Sequence, residues 1–336
     1  MTERNMVEIK KIEEIKPIEG ADKIVSYRIG GWWVIDQKDR YQVGDRIVYC
    51  SIDSWIPTSI APFLSKGKEP KVYYNVPGEK LRTIRLRGQI SQGLILPLSV
   101  LPEAQYNIDQ RLDDILGVQK WEMEIPASLA GKAKGSFPSF IEKTDQTRIQ
   151  NLTDKFHKLN CKMFQVQEKL EGSSATFYLR GGEFGVCSRN LELHRDEGNT
   201  FWQVAIENDI ESKLRHYSGG FDIAIQGELI GPGIQGNIYK LAKHTVRFFD
   251  VFNISAFAYF NPLEAQKFIE KMGLNFVPVL GEYIFNDSTT VDKLLEMAEG
   301  HSQLYATQRE GLVFKFVGND GLTFKVISNS YLEKQK

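Results

Sequence analysis

The stretch KMFQVQEKLEGSSATFYLR, residues 162–180, places Lys169 between two runs, KMFQVQEKL and SATFYLR, that read as strands. Glu168-Lys169-Leu170-Glu171-Gly172-Ser173-Ser174 closes the first strand and opens the second, which would set a lysine in a cleft at a tight turn. Lys-x-x-Gly alone carries little weight. It occurs at Lys132 to Gly135, Lys169 to Gly172 and Lys315 to Gly318, and each could be a surface lysine before a turn.

Beyond Lys169 the runs FGVCS, FDIAIQGELI, VRFFDVFNI, GLVFKFV and LTFKVI also read as strands. Asn261-Pro262, an N-cap and first-turn pair, opens a helix that Gly273 can close, and a second helix runs from Val291 to Glu299. Ahead of Lys169, TRIQNLTDKFHKL reads as a helix. Helices on an antiparallel sheet make an α+β domain over 146–336. Residues 116–145 are rich in Pro, Gly and small side chains and read as a linker. Residues 1–115 contain IVSYRI, WWVID, DRIVYCSI, KVYYNV, RTIRLRG and QGLILPL, short strands punctuated by turn residues, which suggest a small β-barrel or sandwich. Within Thr83-Ile84-Arg85-Leu86-Arg87, alternation predicts a packed face of Ile84 and Leu86 opposite a cationic face of Arg85 and Arg87.

With 336 residues, 42% hydrophobic and 25% charged, the chain has the composition of two globular domains. It contains no apolar run of the roughly 20 residues needed to span a bilayer, and its start is charged, so a cytoplasmic protein without a membrane partner is expected. Three scattered cysteines exclude a disulfide framework and a Cys-x-x-Cys metal site. A net charge of -1 gives no global signal for nucleic acid, but residues 61–90 hold seven basic side chains against two acidic ones, a local excess of +5.

Downstream of Lys169 come Ser188-Arg189-Asn190, Gly227-Glu228-Leu229, Arg247-Phe248-Phe249-Asp250, Arg309-Glu310-Gly311-Leu312-Val313-Phe314-Lys315 and Phe324-Lys325-Val326-Ile327. In order and spacing this set resembles the covalent nucleotidyltransferases, the superfamily of DNA ligases, RNA ligases and capping enzymes. Arg189 lies 20 residues after Lys169, Glu228 lies 59 after it, and Lys325 lies 15 after Glu310. The resemblance implies that Lys169 takes up AMP from ATP. A free lysine with a pKa of about 10.4 gives up roughly 4.6 kcal/mol to be neutral at pH 7, so cationic neighbours, here Lys325 and a divalent metal, are needed to activate it.

Glu171, Glu228 and Glu310 would hold Mg2+ or Mn2+, directly or through water, because these hard cations prefer oxygen. By resemblance, Glu228 and Arg189 are ribose and phosphate contacts and Phe249 stacks on adenine. Phe249 reads equally well as a core residue. Glu168 and Gly172, flanking the nucleophile, are grouped with the nucleotide-binding residues, and Arg148 with the pyrophosphate end. Lys315 and Lys325 would stabilise charge on the α-phosphate. Relatives often carry another lysine two residues from the one in the last motif, whereas this chain has Thr323 and Ile327 there.

Only 11 residues follow Lys325, too few for a C-terminal OB barrel, while Ile18-Glu19-Gly20-Ala21-Asp22-Lys23 and Val43-Gly44-Asp45 are similar to RNA-binding OB modules. This order resembles the RNA ligases with an N-terminal OB domain and a C-terminal antiparallel-sheet nucleotidyltransferase (ATP-grasp-like ligase) domain. The implied partner is RNA or an RNA/DNA duplex with a nick, sealed by a monomer. The alternatives are a GTP-using capping guanylyltransferase and a non-catalytic RNA-binding protein on a ligase scaffold. Lys169, Glu228, Glu310 and Lys325 all being present argues against the second.

Overall fold

In a computed structural model, residues 4–122, 131–318 and 321–335 are described. Two compact units form, one of Met1–Glu124, Gln150–Asp154 and Leu332–Lys336, the other of Ile125–Ile149 and Lys155–Tyr331. The sequence expectation gave both short outlying segments to the second domain. Local contacts explain their place in the first: Trp32 Nε1 donates to Asn151 Oδ1 at 2.8 Å, and Gly31 lies so close to Gln150 that a Cβ would come within 2.5 Å of its Cα. Arg85 pairs with Glu333 through both carboxylate oxygens. Residues 123–130, the middle of the expected linker, lie outside the described residues, while Ala133–Ser136 forms an edge strand of the larger sheet in the second unit.

The first unit is β-rich, as expected. Its strands divide among four sheets of three, three, four and two strands. Strand Arg46–Cys50 sits between Val7–Lys11 and Leu94–Leu96, and its Val48 and Cys50 join Val7, Ile9, Leu96 and Leu112 in a buried core. Thr83–Leu86 pairs only with Gln89–Gln92. Among the described residues Thr83–Leu86 has no paired strand on its other edge, the expected packed face does not form, and Ile84 and Leu86 are exposed.

The second unit holds a seven-stranded and a five-stranded sheet. In the seven-stranded sheet Ser173–Arg180 lies beside Ile223–Ile230, which pairs with Thr245–Asn253. One face buries Phe177, Ile225, Leu229, Phe248 and Val251 together with apolar residues of helices Thr200–Glu207, Ile210–Tyr217 and Pro262–Lys271. The Asn261 side chain caps the last of these by accepting from Leu263 N, as the Asn-Pro pair predicts. Helix Val291–Ala298 also follows its expected course. The helices at 200–217 were not expected, and TRIQNLTDKFHKL is a two-residue strand followed by short 3-10 and α turns rather than one helix.

The five-stranded sheet has opposite characters on its two faces. Its strands run in the order Thr147–Arg148, Thr323–Ile327, Gly311–Phe316, Met163–Lys169, Val279–Ile284. Register aligns Val166, Phe314 and Phe324 on one side, with Phe164 opposite Phe316. There Phe314 and Phe324 stack at 4.9 Å, Phe164 lies 5.3 Å from Phe324, and Phe285 adds edge contacts, each pair contributing about 0.5–1.5 kcal/mol beyond its buried area. Because strand side chains alternate, the other face must carry Gln165, Gln167 and Lys169, with Lys315, Lys325 and Arg148 in the neighbouring strands.

Candidate active site

Strand register gathers the expected cations. Gln167, Val313, Lys325 and Arg148 share one row across four strands, and Lys169 pairs with Gly311 one row further along the same face. Glu310 precedes Gly311, so this pairing brings its carboxylate to Lys169, with Nζ 2.6 Å from Oε1. Gly311 is at φ +159, and a Cβ there would lie 2.2 Å from Val326 O, so only glycine lets the strands close at this point.

The seven-stranded sheet supplies the opposing wall. Ser174, Glu228 and Gln226 lie on its face away from the helices, since Ala175, Gly227 and Ile225 alternate with them. A Cβ on Gly172 would meet Leu229 O at 2.4 Å and Glu228 Cγ at 2.7 Å, so glycine is what allows the Lys169 turn to pass against Glu228. Burial pushes the Glu228 carboxyl up to about 8; Lys169 opposes that rise, Glu310 adds to it, and Arg189 opposes it. These four side chains therefore share one electrostatic site. Burial lowers Lys325 to about 7, assisted by the charges of Lys169 and Arg148 and opposed by Asp145 and Glu310. Lys325 is thus an amine poised to change charge near neutrality. Arg148 is buried, and Arg189 donates to Asp145 at 3.1 Å.

Lys315 is placed differently from expectation. Its buried Nζ lies 2.6 Å from Asp250 and donates to Phe249 O at 2.7 Å, so it bridges the two sheets through a carboxylate that sequence reasoning had not singled out. Burial lowers the Lys315 amine while Asp250 opposes the shift. Phe249 sits where the register shifts between Gln226 and Gly227, half-buried, with its ring 5.0 Å from Lys315 Nζ. Glu168 points to the opposite side from Lys169, is buried, and accepts from Gln303 N at 2.8 Å.

Glu171 also turns away from the other carboxylates. Its Oε1 accepts from Gly236 N at 3.1 Å, and its backbone N–H donates to the buried Tyr239 hydroxyl at 2.7 Å, tying the nucleophile turn to the 231–240 loop. Among the described residues no group of three His, Cys, Asp or Glu side chains stands close enough to cage a metal. The expected trio Glu171, Glu228 and Glu310 does not converge as direct ligands, because the glycine-rich loop takes up Glu171. Glu228 and Glu310 remain a two-carboxylate oxygen set beside a cationic wall. Such a set fits magnesium or manganese, which commonly bind one or two carboxylates with waters and substrate phosphates.

Among the described residues no helix is long and apolar enough to cross a membrane. The RNA ligase family model matches residues 162–327, and an OB-fold domain model matches residues 6–98. No curated protein matches the chain significantly. Solved structures of the Naegleria gruberi RNA ligase do match. A lysine-to-alanine mutant with ATP and Mn is 38% identical, covers 98% of this chain and 99% of that chain, and has a TM-score of 0.92. The same ligase with PPi is 39% identical with 99% of each chain covered and a TM-score of 0.91, and a lysine-to-methionine mutant with AMP and Mn is 38% identical over 99% of each chain at 0.92. An OB-fold unit, a ligase unit with its charged cleft, and this likeness along nearly the whole chain agree: the chain belongs to the RNA ligase family.

Proposed function

We infer that this chain is an ATP-dependent RNA ligase whose nucleophile is Lys169. The observation that carries the assignment is the charged cleft, where Lys169, Glu310, Glu228, Arg189 and Lys325 act on one another from two facing sheets. In the first step Lys169 Nζ attacks the α-phosphorus of ATP, a lysyl-AMP phosphoramidate forms, and pyrophosphate leaves. AMP then passes to a 5′-phosphate end, and a 3′-OH attacks that activated phosphate, forming the phosphodiester and releasing AMP. Each step is an in-line displacement, so alignment and charge stabilisation supply most of the catalysis.

Glu310 orients the Lys169 amine through the 2.6 Å contact and must release it for attack. Lys325 and Arg148 stabilise the charge that develops on the phosphates from the same sheet face, and Arg189 does so from the other wall. Lys315 acts through its bridge to Asp250 and Phe249, holding the wall in which Phe249 would flank adenine. Glu228 and Glu310 would hold a divalent metal, which would neutralise charge on the phosphates.

The substrate we propose is a nick with an RNA 3′-OH end in an RNA or RNA/DNA duplex, sealed by a cytoplasmic monomer. The OB-first domain order supports the nick. A gel of protein incubated with labelled ATP or labelled GTP tests the nucleotide, and a panel of RNA and DNA nicks tests the substrate. Labelling by GTP alone, or sealing of all-DNA nicks in preference to RNA-ended ones, would overturn this reading.

A further inference from the structure

In the first unit, the four-stranded sheet runs Gln119–Lys120, Ser54–Pro57, Val76–Lys80, Lys71–Tyr73. Ile56 enters the buried core, so Trp55 points to the other side. Register puts Lys80 on that outer side beside Trp55, and the pairs Gly78 with Lys71 and Val76 with Tyr73 add Lys71 and Tyr73. Trp121, two residues past Gln119, completes the row. This side carries three aromatic side chains, of which Trp55 and Tyr73 are buried and Trp121 is half-buried.

The arrangement is built and held. A Cβ on Gly78 would lie 2.7 Å from Trp55 Nε1, so the indole occupies the space a side chain would need. Trp55 Nε1 donates to Val76 O at 3.0 Å. Tyr73 lies 5.3 Å from Trp55 and 6.4 Å from Trp121, and its hydroxyl accepts from Glu122 N at 3.0 Å and donates to Glu122 O at 3.2 Å. Lys80 Nζ stands 3.4 Å from the Trp121 ring centre. A groove of about 290 Å³ runs over these residues, with Lys71, Lys80, Arg82 and Glu122 along it; Glu79 lies 4.0 Å from Lys71 and Asp53 4.0 Å from Lys80.

The hairpin tip adds a second observation. The sequence KVYYNV, which reads as one strand, instead turns at Tyr74 and Asn75, with φ of +44 and +63. Two positive φ values make the type I′ hairpin turn, where Asn and Gly are favoured and a bulky aromatic is an outlier. Tyr74 nevertheless sits there, 67% exposed, with its ring edge-on to Tyr73 at 4.5 Å. The exposed Tyr74 ring and the half-buried Trp121 ring, beside Lys71, Lys80 and Arg82, suit a ligand that is both planar and polyanionic.

We propose that this face is a stacking site for an unpaired base in a single-stranded stretch of RNA flanking the nicked duplex, read without sequence preference. Tyr74 and Trp121 supply the stacking surfaces, and Lys71, Lys80 and Arg82 take the flanking phosphates. The proposal deepens the ligase reading and rests on it. Arg85, on the expected cationic face with Arg87, is engaged by Glu333 and the Gly88 carbonyl and is not part of this site.

The test measures the Kd of the full-length protein for a fluorescein-labelled oligouridylate of about 12 nucleotides and for a blunt RNA duplex, by anisotropy at fixed salt. Tyr74→Asn keeps a residue suited to the turn while deleting the ring, and Tyr74→Phe keeps the ring. Stacking is worth enough that Tyr74→Asn should raise the oligouridylate Kd about tenfold, with Trp121→Ala at least as damaging, while Tyr74→Phe stays within about twofold and the duplex Kd is unmoved in all three. Parental oligouridylate affinity in Tyr74→Asn, or an equal loss on the duplex, overturns the stacking site, and would point to another class of partner for this face. If Trp121→Ala fails to fold, Tyr74→Asn decides alone. Failure of the unmodified protein to gain AMP from ATP would instead overturn the ligase reading, whatever the variants do to binding.

Discussion

Removing one partner of the Lys315–Asp250 pair should be far more damaging than removing both. The two groups lie 2.6 Å apart, 5% and 8% exposed, and the remaining contact of Lys315 Nζ is the Phe249 carbonyl. Asp250→Ala would leave an ammonium in a dry site with one neutral acceptor, a change that costs about 3–5 kcal/mol. In a domain of this size that is a drop in Tm of roughly 6–20 °C. Lys315→Met leaves the carboxyl, whose pKa burial already raises against the opposing pull of Lys315. Without that pull it rises further, so Asp250 protonates in the folded state. The variant should then be hurt less at pH 5 than at pH 8, because stability falls as pH climbs from the ordinary Asp value toward the raised one. The double variant D250L/K315M should recover most of the loss. Urea melts of the four proteins close a double-mutant cycle. Single variants that each cost under about 1 kcal/mol with no coupling would refute the view that the pair ties the two sheets together.

Gly172→Ala should abolish lysyl-AMP formation and lower stability by about 1–3 kcal/mol, because the new Cβ meets the Leu229 carbonyl and displaces Glu228; normal adenylylation by this variant would contradict the close approach. The ligand-free protein should lose stability as pH rises from the ordinary Glu value to about 8, the raised Glu228 value, and melts of Glu228→Gln should lack that decline. Lys325 works in the opposite sense: its folded value of about 7 lies below the unfolded one, so stability should rise from pH 7 toward 10.5, and Lys325→Met should flatten that limb. Glu171→Ala should cost about 1 kcal/mol, and faster proteolysis within residues 231–240 would report the lost tether to Gly236.

Much of the site was legible because its chemistry is ordered along the chain. Lys169, Glu228 and Lys325 come from separate strands, Glu310 lies just ahead of another and Arg189 in the turn after Glu183–Cys187, and strand register, which spacing alone does not give, draws them together. The Gly311 pairing that places Glu310 on Lys169 is a case in point. Asp250, part of the motif with Phe249, gets no role from the sequence, because a buried lysine betrays its need for a counter-charge only once burial is known. Glu171, expected to hold a metal directly or through water from its position beside the nucleophile, accepts from the amide of Gly236 through one carboxylate oxygen, a contact that spacing does not reveal. The helices at 200–217 were hidden by aromatic content and by the Asn208-Asp209 break between them, and the hairpin at Tyr74 by the absence of the usual glycine. Both failures arise where tertiary contacts override local preference.

Peptide mapping by mass spectrometry, after incubation of the protein with ATP and either magnesium or manganese, tests the assignment of the nucleophile most directly. One AMP should be found on the peptide bearing Lys169, removable by pyrophosphate and missing in Lys169→Ala. Modification of a different lysine, or strand joining by Lys169→Ala, would contradict the account.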